Sequence, residues 1–261
     1  MRKSFVEHIE GSIIEHWELK AMTDYVTKKQ YTYAQVAEEI AKLHLLFDEL
    51  NLSKDDKISL VGKNTPEWAI TFLATVTYGA VIVPILQDFH PNDILHIINH
   101  SESKLVFLSD NQWENIEEDK LLHVKGVFSI TDFRCLFQAQ GENIQMKLKH
   151  LDDKFHAVHP DGITKNDVHY AKSEANKLTI INYTSGTMGF SKGVMLSDDN
   201  ICCMIDYAFR TNLVGRGYNI LSFLPLAHAY GCAFDFIAQF AAGSHIWLIW
   251  DFSEAHRPQW S

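Results

Sequence analysis

Cysteine is scarce in this sequence of 261 residues, and its scarcity argues against two kinds of site. The four cysteines are Cys135, Cys202, Cys203 and Cys232, and none belongs to a Cys-x-x-Cys pair. This pattern speaks against a structural zinc site and against a disulfide framework. We therefore expect a reducing, cytoplasmic setting.

Long hydrophobic runs are also few. The first 17 residues lack the apolar stretch of a signal peptide. Residues 68–86 carry no charge over 19 positions, close to the ~20 residues that a membrane helix needs. However, this stretch contains three threonines and Pro84, and its pattern breaks at Gly79. We predict a buried helix followed by a buried strand, and no transmembrane segment.

An excess of positive charge is absent, since the formal net charge is −10. An acidic surface repels phosphate backbones, which argues against nucleic-acid binding. A nucleotide ligand would need positive charge supplied locally. Hydrophobic residues make up 46% and charged residues 21%, a composition typical of a globular protein rather than a disordered one.

Short apolar runs alternate with helical patterns from Lys57 onward, which predicts an α/β fold with a parallel sheet flanked by helices. Strands are predicted at Ile58–Val61, Ala80–Pro84, Leu105–Leu108, Val127–Ile130, Leu178–Tyr183, Gly193–Leu196, Ile220–Leu224 and His245–Ile249. Helices are predicted after Thr32, at Pro66–Tyr78, Pro91–Asn99, around Asp132–Gln138, from Ser197 and at Cys232–Ala241. Residues Gly141–Asn176 have little periodicity, which indicates a surface connection with at most one weak strand.

The segment from Tyr183 to Val194 is the most informative part of the chain. Three glycines allow tight turns and close approach to a ligand, while hydroxyl side chains and Lys192 add donors and a positive charge. Backbone amides, hydroxyls and one lysine are the groups that hold a polyphosphate. A surface turn is the plain alternative. A Walker-type loop does not fit, because Ser191 precedes Lys192 and Gly193 follows it.

The same segment resembles the phosphate-binding signature of the adenylate-forming superfamily, which includes acyl- and aryl-CoA synthetases, luciferases and peptide-synthetase adenylation domains. The matching positions are Thr184, Ser185, Gly186, Thr187, Gly189, Lys192 and Gly193. Met188 stands where the family usually has a hydroxyl residue, and Ser191 where it usually has proline. The resemblance implies that these seven positions bind the β- and γ-phosphates of ATP.

A second segment, Leu224–Gly231, begins 32 residues beyond Lys192 and resembles the family's turn at the entrance to the acyl pocket. The resemblance implies a gating and orienting role for His228. The plain alternative is an ordinary histidine in a strand-to-helix turn. Four earlier segments resemble the family in the same order, although each is common by itself. They are Thr32–Gln35, Val61–Trp68, Gly79–Pro84 and Asn99–Glu102.

The resemblance implies a two-step reaction, in which a carboxylic acid and ATP give an acyl-adenylate and coenzyme A then takes the acyl group. Lys192, Thr184 and His228 would be the catalytic residues. Mg²⁺ would accompany ATP, and no protein metal ligand is predicted. We expect a fatty acid as substrate, with an aryl or amino acid as the alternative. Three phenylalanines, Phe234, Phe236 and Phe240, could line an acyl tunnel or belong to the core.

Family members are longer than this chain, so the resemblance implies an amino-terminal portion that is inactive alone. It also implies two stacked α/β subdomains. Residues 57–215 would form one; residues 1–56 and 216–261 would begin the second, and its exposed apolar surface could support a homodimer. A non-catalytic nucleotide-binding or interaction module is the alternative from another class.

Overall fold

The computed structural model describes residues 3–170, 172, 174–184 and 192–250, which form two sheets with helices packed against them. The larger sheet has seven strands in the order β7-β6-β5-β3-β4-β8-β9. In chain order these strands are β3 (Lys57–Val61), β4 (Val81–Ile85), β5 (Leu105–Leu108), β6 (Gly126–Ser129), β7 (Cys135–Gln138), β8 (Leu178–Thr184) and β9 (Lys192–Ser197).

The five inner strands of this sheet are all parallel, and only the two edge strands, β7 and β9, run antiparallel to their neighbours. The inner strands are apolar runs because helices cover both faces of the sheet. The predicted α/β fold with a parallel sheet flanked by helices is therefore confirmed.

Helix α3 (Pro66–Tyr78) shows why residues 68–86 are so apolar. Thr65 caps its first turn, and Gly79 ends it in the left-handed conformation at φ 95°. Most of the helix is buried, and β4 follows it directly. The prediction of a buried helix and a buried strand is confirmed. Among the described residues, no helix has the length and apolar character needed to cross a membrane.

The smaller sheet has four strands in the order β10-β11-β1-β2 and combines both ends of the chain. Its strands are β1 (Lys20–Asp24), β2 (Gln30–Thr32), β10 (Asn219–Ser222) and β11 (His245–Leu248). β1 and β10 pair in parallel with β11, whereas β2 is antiparallel to β1. The subdomain boundaries near residues 56 and 216 stay a prediction.

The remaining helices cover these two sheets. They are α1 (Phe5–Glu15), α2 (Tyr33–Glu49), α4 (Pro91–His100), α5 (Asp110–Trp113), α6 (Ile144–Lys149), α7 (Leu151–Val158), α8 (Asp198–Arg210) and α9 (Ala238–Ala241). α1 was not predicted. Its first amide, on Phe5, donates to both carboxylate oxygens of Asp198 at 3.0 and 3.1 Å, a contact between residues far apart in sequence.

The predicted short helix around Asp132–Gln138 is wrong, because the chain there turns back and forms β7 against β6. Phe133 has φ 58°, which a helix does not allow, and the Asp132 carboxylate pairs with the Arg134 guanidinium within the turn. This turn places the apolar residues of β7 alongside β6.

The weak strand predicted within Gly141–Asn176 is wrong, because the described residues of this region form the helices α6 and α7 instead. Each helix buries a single large apolar residue, Ile144 or Phe155, which is too few to produce a visible period. Long-range contacts hold the pair: Lys147 donates to the Glu49 carbonyl, and Lys154 pairs with the Glu49 carboxylate.

The predicted helix at Cys232–Ala241 is present, but its first part is wider than an α-helix. Residues Gly231–Ile237 form π-type turns before α9 begins. Such turns are rare in proteins and are frequently found at functional sites.

Candidate active site

The residues on either side of the predicted phosphate loop lie opposite each other. β8 and β9 form an antiparallel ladder in which Thr184 pairs with Lys192 and Tyr183 with Gly193. The ladder thus sets a threonine and a lysine opposite each other, and we call this pair the hairpin mouth (Thr184 and Lys192). The other predicted phosphate ligands, Ser185, Gly186, Thr187 and Gly189, lie outside the described residues.

Both residues of the hairpin mouth are exposed, so they are accessible to a ligand. Thr184 ends β8, which is parallel to β4, and β4 is parallel to β3. The carboxyl ends of these three strands therefore meet at one edge of the sheet. In open α/β sheets, ligands bind in the crevice outside this edge. The location of the hairpin mouth suits a ligand site.

Gly193 serves the packing of the hairpin. A Cβ atom at this position would lie 2.9 Å from the Ile181 side chain and 3.2 Å from the Tyr183 ring. The Tyr183 hydroxyl is 2.7 Å from Nδ1 of His100 on α4, and burial raises the pKa of Tyr183. Tyr183 therefore stays protonated and ties the base of the hairpin to α4. The predicted phosphate contact of Gly193 stays a prediction.

The turn from Leu224 to Gly231, here called the histidine turn, carries His228. Its backbone is folded tightly: the His228 amide donates to the Pro225 carbonyl, and the Cys232 amide donates to the His228 carbonyl, both at 2.9 Å. The Tyr230 amide donates to Nδ1 of His228 at 3.3 Å. In the neutral ring the proton is therefore on Nε2, and the exposed side chain can offer it to a ligand.

Two residues that the sequence analysis did not single out shape this turn. A Cβ atom on Gly231 would lie 2.7 Å from the Pro225 carbonyl oxygen, so only glycine fits there without a shift. The backbone amides of Leu224 and Phe223 favour the charged form of the Asp235 carboxylate, while its Oδ2 is buried with no hydrogen-bond partner among the described residues. Burial raises the pKa of Asp235 above its usual range. Of these two residues, only Gly231 belongs to the segment that resembles the family. The sequence therefore contains a signal for Gly231 and none for Asp235.

The structure groups Thr184, Lys192 and Gly193 in one ladder and places His228 in a separate turn. The hydrogen bonds described above join His228 to Pro225, Tyr230 and Cys232. None of these three partners belongs to the hairpin. A small cleft of about 40 Å³ lies between the histidine turn and the edge of the large sheet. Its walls include Gly62 and Asp88, which follow β3 and β4, and Phe223 and Trp250, which follow β10 and β11. The predicted roles of these site residues remain untested.

The aromatic residues proposed for an acyl tunnel belong mainly to the core. Phe236 and Phe240 are fully buried, and Phe236 packs against Trp68 and Phe72 of α3. Phe234 is partly exposed and contacts Tyr230 of the histidine turn. The core alternative therefore describes Phe236 and Phe240, and Phe234 is the one of the three that could face a ligand.

Metal-binding groups do not cluster in the described part of the chain. Within it, no set of three or more His, Cys, Asp or Glu side chains could hold a metal ion. The hydroxyl and ammonium of the hairpin mouth fit a polyphosphate better than a bare cation.

Comparison with known proteins supports the resemblance seen in the sequence. The family model described as AMP-binding enzyme matches residues 15–260. Luciferin 4-monooxygenase from Photuris pensylvanica is 22% identical over 90% of this chain and 42% of its own length. Long-chain-fatty-acid–CoA ligase 6 from Homo sapiens is 28% identical over 76% of this chain and 29% of its own. Crotonobetaine/carnitine–CoA ligase from Proteus mirabilis is 29% identical, with 77% and 37% covered.

Solved structures show the same fold at low sequence identity. Apo MatB from Rhodopseudomonas palustris matches with a TM-score of 0.73 at 18% identity, covering 98% of this chain and 47% of that one. The anthranilate CoA ligase AuaEII, in complex with anthranoyl-AMP, matches with a TM-score of 0.76 at 17% identity and covers 95% and 45%. The chain thus spans less than half the length of the relatives named here.

Proposed function

This chain belongs to the AMP-binding enzyme family, and we propose that it contributes the triphosphate-holding part of an ATP-dependent acid–thiol ligase. The observation that carries this proposal is the pairing of Thr184 with Lys192 at the exposed carboxyl edge of a parallel sheet. The ladder holds the backbones of a hydroxyl donor and a cation opposite each other before any ligand arrives. Such preorganised groups stabilise charge that develops in a reaction.

The proposed first step joins a carboxylate oxygen to the α-phosphorus of ATP and breaks the bond to pyrophosphate. The electron pair of the broken bond leaves with pyrophosphate, whose negative charge grows in the transition state. Lys192 would offset that charge, and the Thr184 hydroxyl would donate to a phosphate oxygen. Mg²⁺, when bound through the phosphates, would supply further charge compensation. In the second step, the thiol of coenzyme A attacks the acyl carbonyl and AMP leaves.

A fatty acid is the proposed acyl substrate, and an aryl or amino acid is the alternative. One of the relatives carries long-chain fatty acid in its name, another carnitine, and a structural neighbour anthranilate. The exposed aromatic side chains of Phe223 and Tyr230 beside the histidine turn suit an apolar acid. Because Phe236 and Phe240 belong to the core, they do not indicate the chain length of the acyl substrate.

Carboxylate-dependent exchange of pyrophosphate into ATP tests the function in the protein that carries this chain. A panel of long-chain, short-chain, aromatic and amino acids should give exchange, and we expect the strongest signal with long-chain acids. Exchange only with an aromatic or amino acid would support the alternative substrate class. ATP binding without exchange for any acid would support the non-catalytic module instead.

Three further parts of the proposal concern the chain's setting. We expect a cytoplasmic protein, and no turnover by the 261 residues alone, because the CoA ligases that this chain resembles are more than twice as long. Formation of acyl-CoA by the isolated chain would contradict the second point. The exposed residues Tyr218 and Leu221 on and beside the edge strand β10 could become buried in a homodimer, which sedimentation would reveal.

A further inference from the structure

Asn64 lies in the turn between β3 and α3, and its side chain is almost completely buried. Its amide nitrogen donates to the carbonyl of Leu224 at 2.8 Å and more weakly to that of Ile249 at 3.4 Å. Its oxygen accepts from the Leu226 amide at 2.9 Å. Both the donor and the acceptor of this amide are therefore used.

These three partners lie 160 to 185 residues away in sequence. Leu224 and Leu226 are in the histidine turn, which follows β10, and Ile249 follows β11. One side chain, from the turn that follows β3 of the large sheet, thus binds the two segments that follow β10 and β11 of the small sheet. The Pro225 carbonyl, which accepts from the His228 amide, lies between the two fastened residues.

Local structure does not account for this asparagine. The cap of α3 is supplied by Thr65, whose hydroxyl accepts from the Trp68 amide at 3.2 Å. The Asn64 side chain is directed away from its own turn and toward the other sheet. An aspartate would keep the acceptor for Leu226 but would place an oxygen against two carbonyl oxygens. A leucine would leave two carbonyls and one amide without this partner.

We propose that Asn64 is a positioning residue that fixes the histidine turn against the carboxyl edge of the large sheet, and so sets where His228 lies relative to the hairpin mouth. The catalytic half of this inference rests on the proposed function. The structural half rests on the three hydrogen bonds alone.

Hydrogen–deuterium exchange of residues 223–231 tests the structural half. In Asn64→Ala and in the near-isosteric Asn64→Asp, we expect these amides to exchange at least about 10-fold faster, because the turn loses the donor that holds the Leu224 carbonyl. Asn99→Ala is the matched control. Asn99 makes the same kind of bridge, to the Lys120 carbonyl and the Leu122 amide, so its loss should speed exchange near residues 120–122 only.

Adenylation kinetics in the protein that carries this chain test the catalytic half. A misplaced His228 should lower kcat about 10- to 100-fold, while the KM for ATP changes little because the hairpin mouth is intact. Asn99→Ala should leave both constants unchanged. Asn64→Asp gives the result even where Asn64→Ala folds poorly, since it changes one atom of the side chain.

Unchanged exchange of residues 223–231 in both Asn64 variants would overturn the inference whatever the kinetics show. Faster exchange with an unchanged kcat would overturn its catalytic half. A failure of the proposed function is distinguishable, because the wild-type protein would then show no pyrophosphate exchange with any acid, while the hydrogen–deuterium exchange result for Asn64 would stand by itself.

Discussion

The hairpin mouth and the histidine turn differ in what holds them. Thr184 and Lys192 are exposed and are fixed by the ladder between β8 and β9. The histidine turn is fixed by the buried amide of Asn64, by the carboxylate of Asp235 and by the close approach of Gly231 to a carbonyl. Substitutions at the mouth should therefore affect ligand binding and reaction rate but not stability, whereas substitutions in the turn should affect stability as well.

The largest expected effect on stability is that of Gly231→Ala in the histidine turn. The new Cβ atom would meet the Pro225 carbonyl oxygen at 2.7 Å, and a backbone oxygen cannot move aside as a side chain can. We expect a loss of about 2–3 kcal/mol in the free energy of unfolding, measured by urea denaturation.

Gly11→Ala in helix α1 is the control for this change, because the nearest atom would be the Lys3 ammonium at an ordinary 3.8 Å. It should be neutral or stabilise the chain by up to about 1 kcal/mol. Equal losses for the two variants would show that the histidine turn is no tighter than a helix surface.

Acid should destabilise the chain through His44, a residue of α2 whose ring contacts α3. Burial lowers the pKa of His44 to about 4, and its Nε2 is 3.0 Å from the Ala74 carbonyl. Because the folded state disfavours the charged ring, stability is complete above the unfolded pKa of 6.5 and falls as the pH drops toward 4. From pH 6.5 to 5 we expect a loss of about 2 kcal/mol.

Urea denaturation at several pH values checks this, with His44→Gln as the variant that should flatten the slope. His123→Gln, at an exposed histidine, should leave the slope as it is. A wild-type slope that survives in His44→Gln would refute the assignment.

The contribution of Asp235 to stability should change with pH in the opposite direction to that of His44, and by a smaller amount. Burial raises the pKa of Asp235, so the folded state favours the protonated carboxyl. The resulting stabilisation is complete below the unfolded pKa of 3.8 and is lost as the pH rises through the pKa of the folded state. Asp235→Asn should therefore stabilise the chain at pH 7. The gain should stay below about 1 kcal/mol, because solvent still screens a carboxylate that is only partly buried. A melting temperature lowered at pH 7 would mean that the bonds to the Leu224 and Phe223 amides outweigh the burial cost.

Prediction from sequence succeeded where the decisive contacts are local. The apolar inner strands, α3 with its end at Gly79, and the strands on both sides of the phosphate segment all follow from neighbouring residues. The phosphate signature is visible for the same reason, since a loop that binds through backbone amides needs its glycines in one short run.

Prediction failed where the partner is distant in the chain. Helices α6 and α7 depend on contacts with Glu49, and the placement of the histidine turn depends on Asn64. Helix α1 is different, because the local signal of a Ser4–Glu7 capping box was present and was overlooked. The strand β7 was mistaken for a helix because its formation requires Phe133 in a left-handed conformation, and no residue type nearby signals that.

Pyrophosphate exchange by Lys192→Ala, in the protein that carries this chain, tests most directly whether the hairpin mouth holds the triphosphate. Lys165→Ala is the control, since Lys165 is also exposed but lies in a separate turn. We predict that Lys192→Ala lowers the exchange rate about 10²- to 10³-fold, with an unchanged free energy of unfolding, and that Lys165→Ala does neither. Exchange at the wild-type rate in Lys192→Ala would contradict the account.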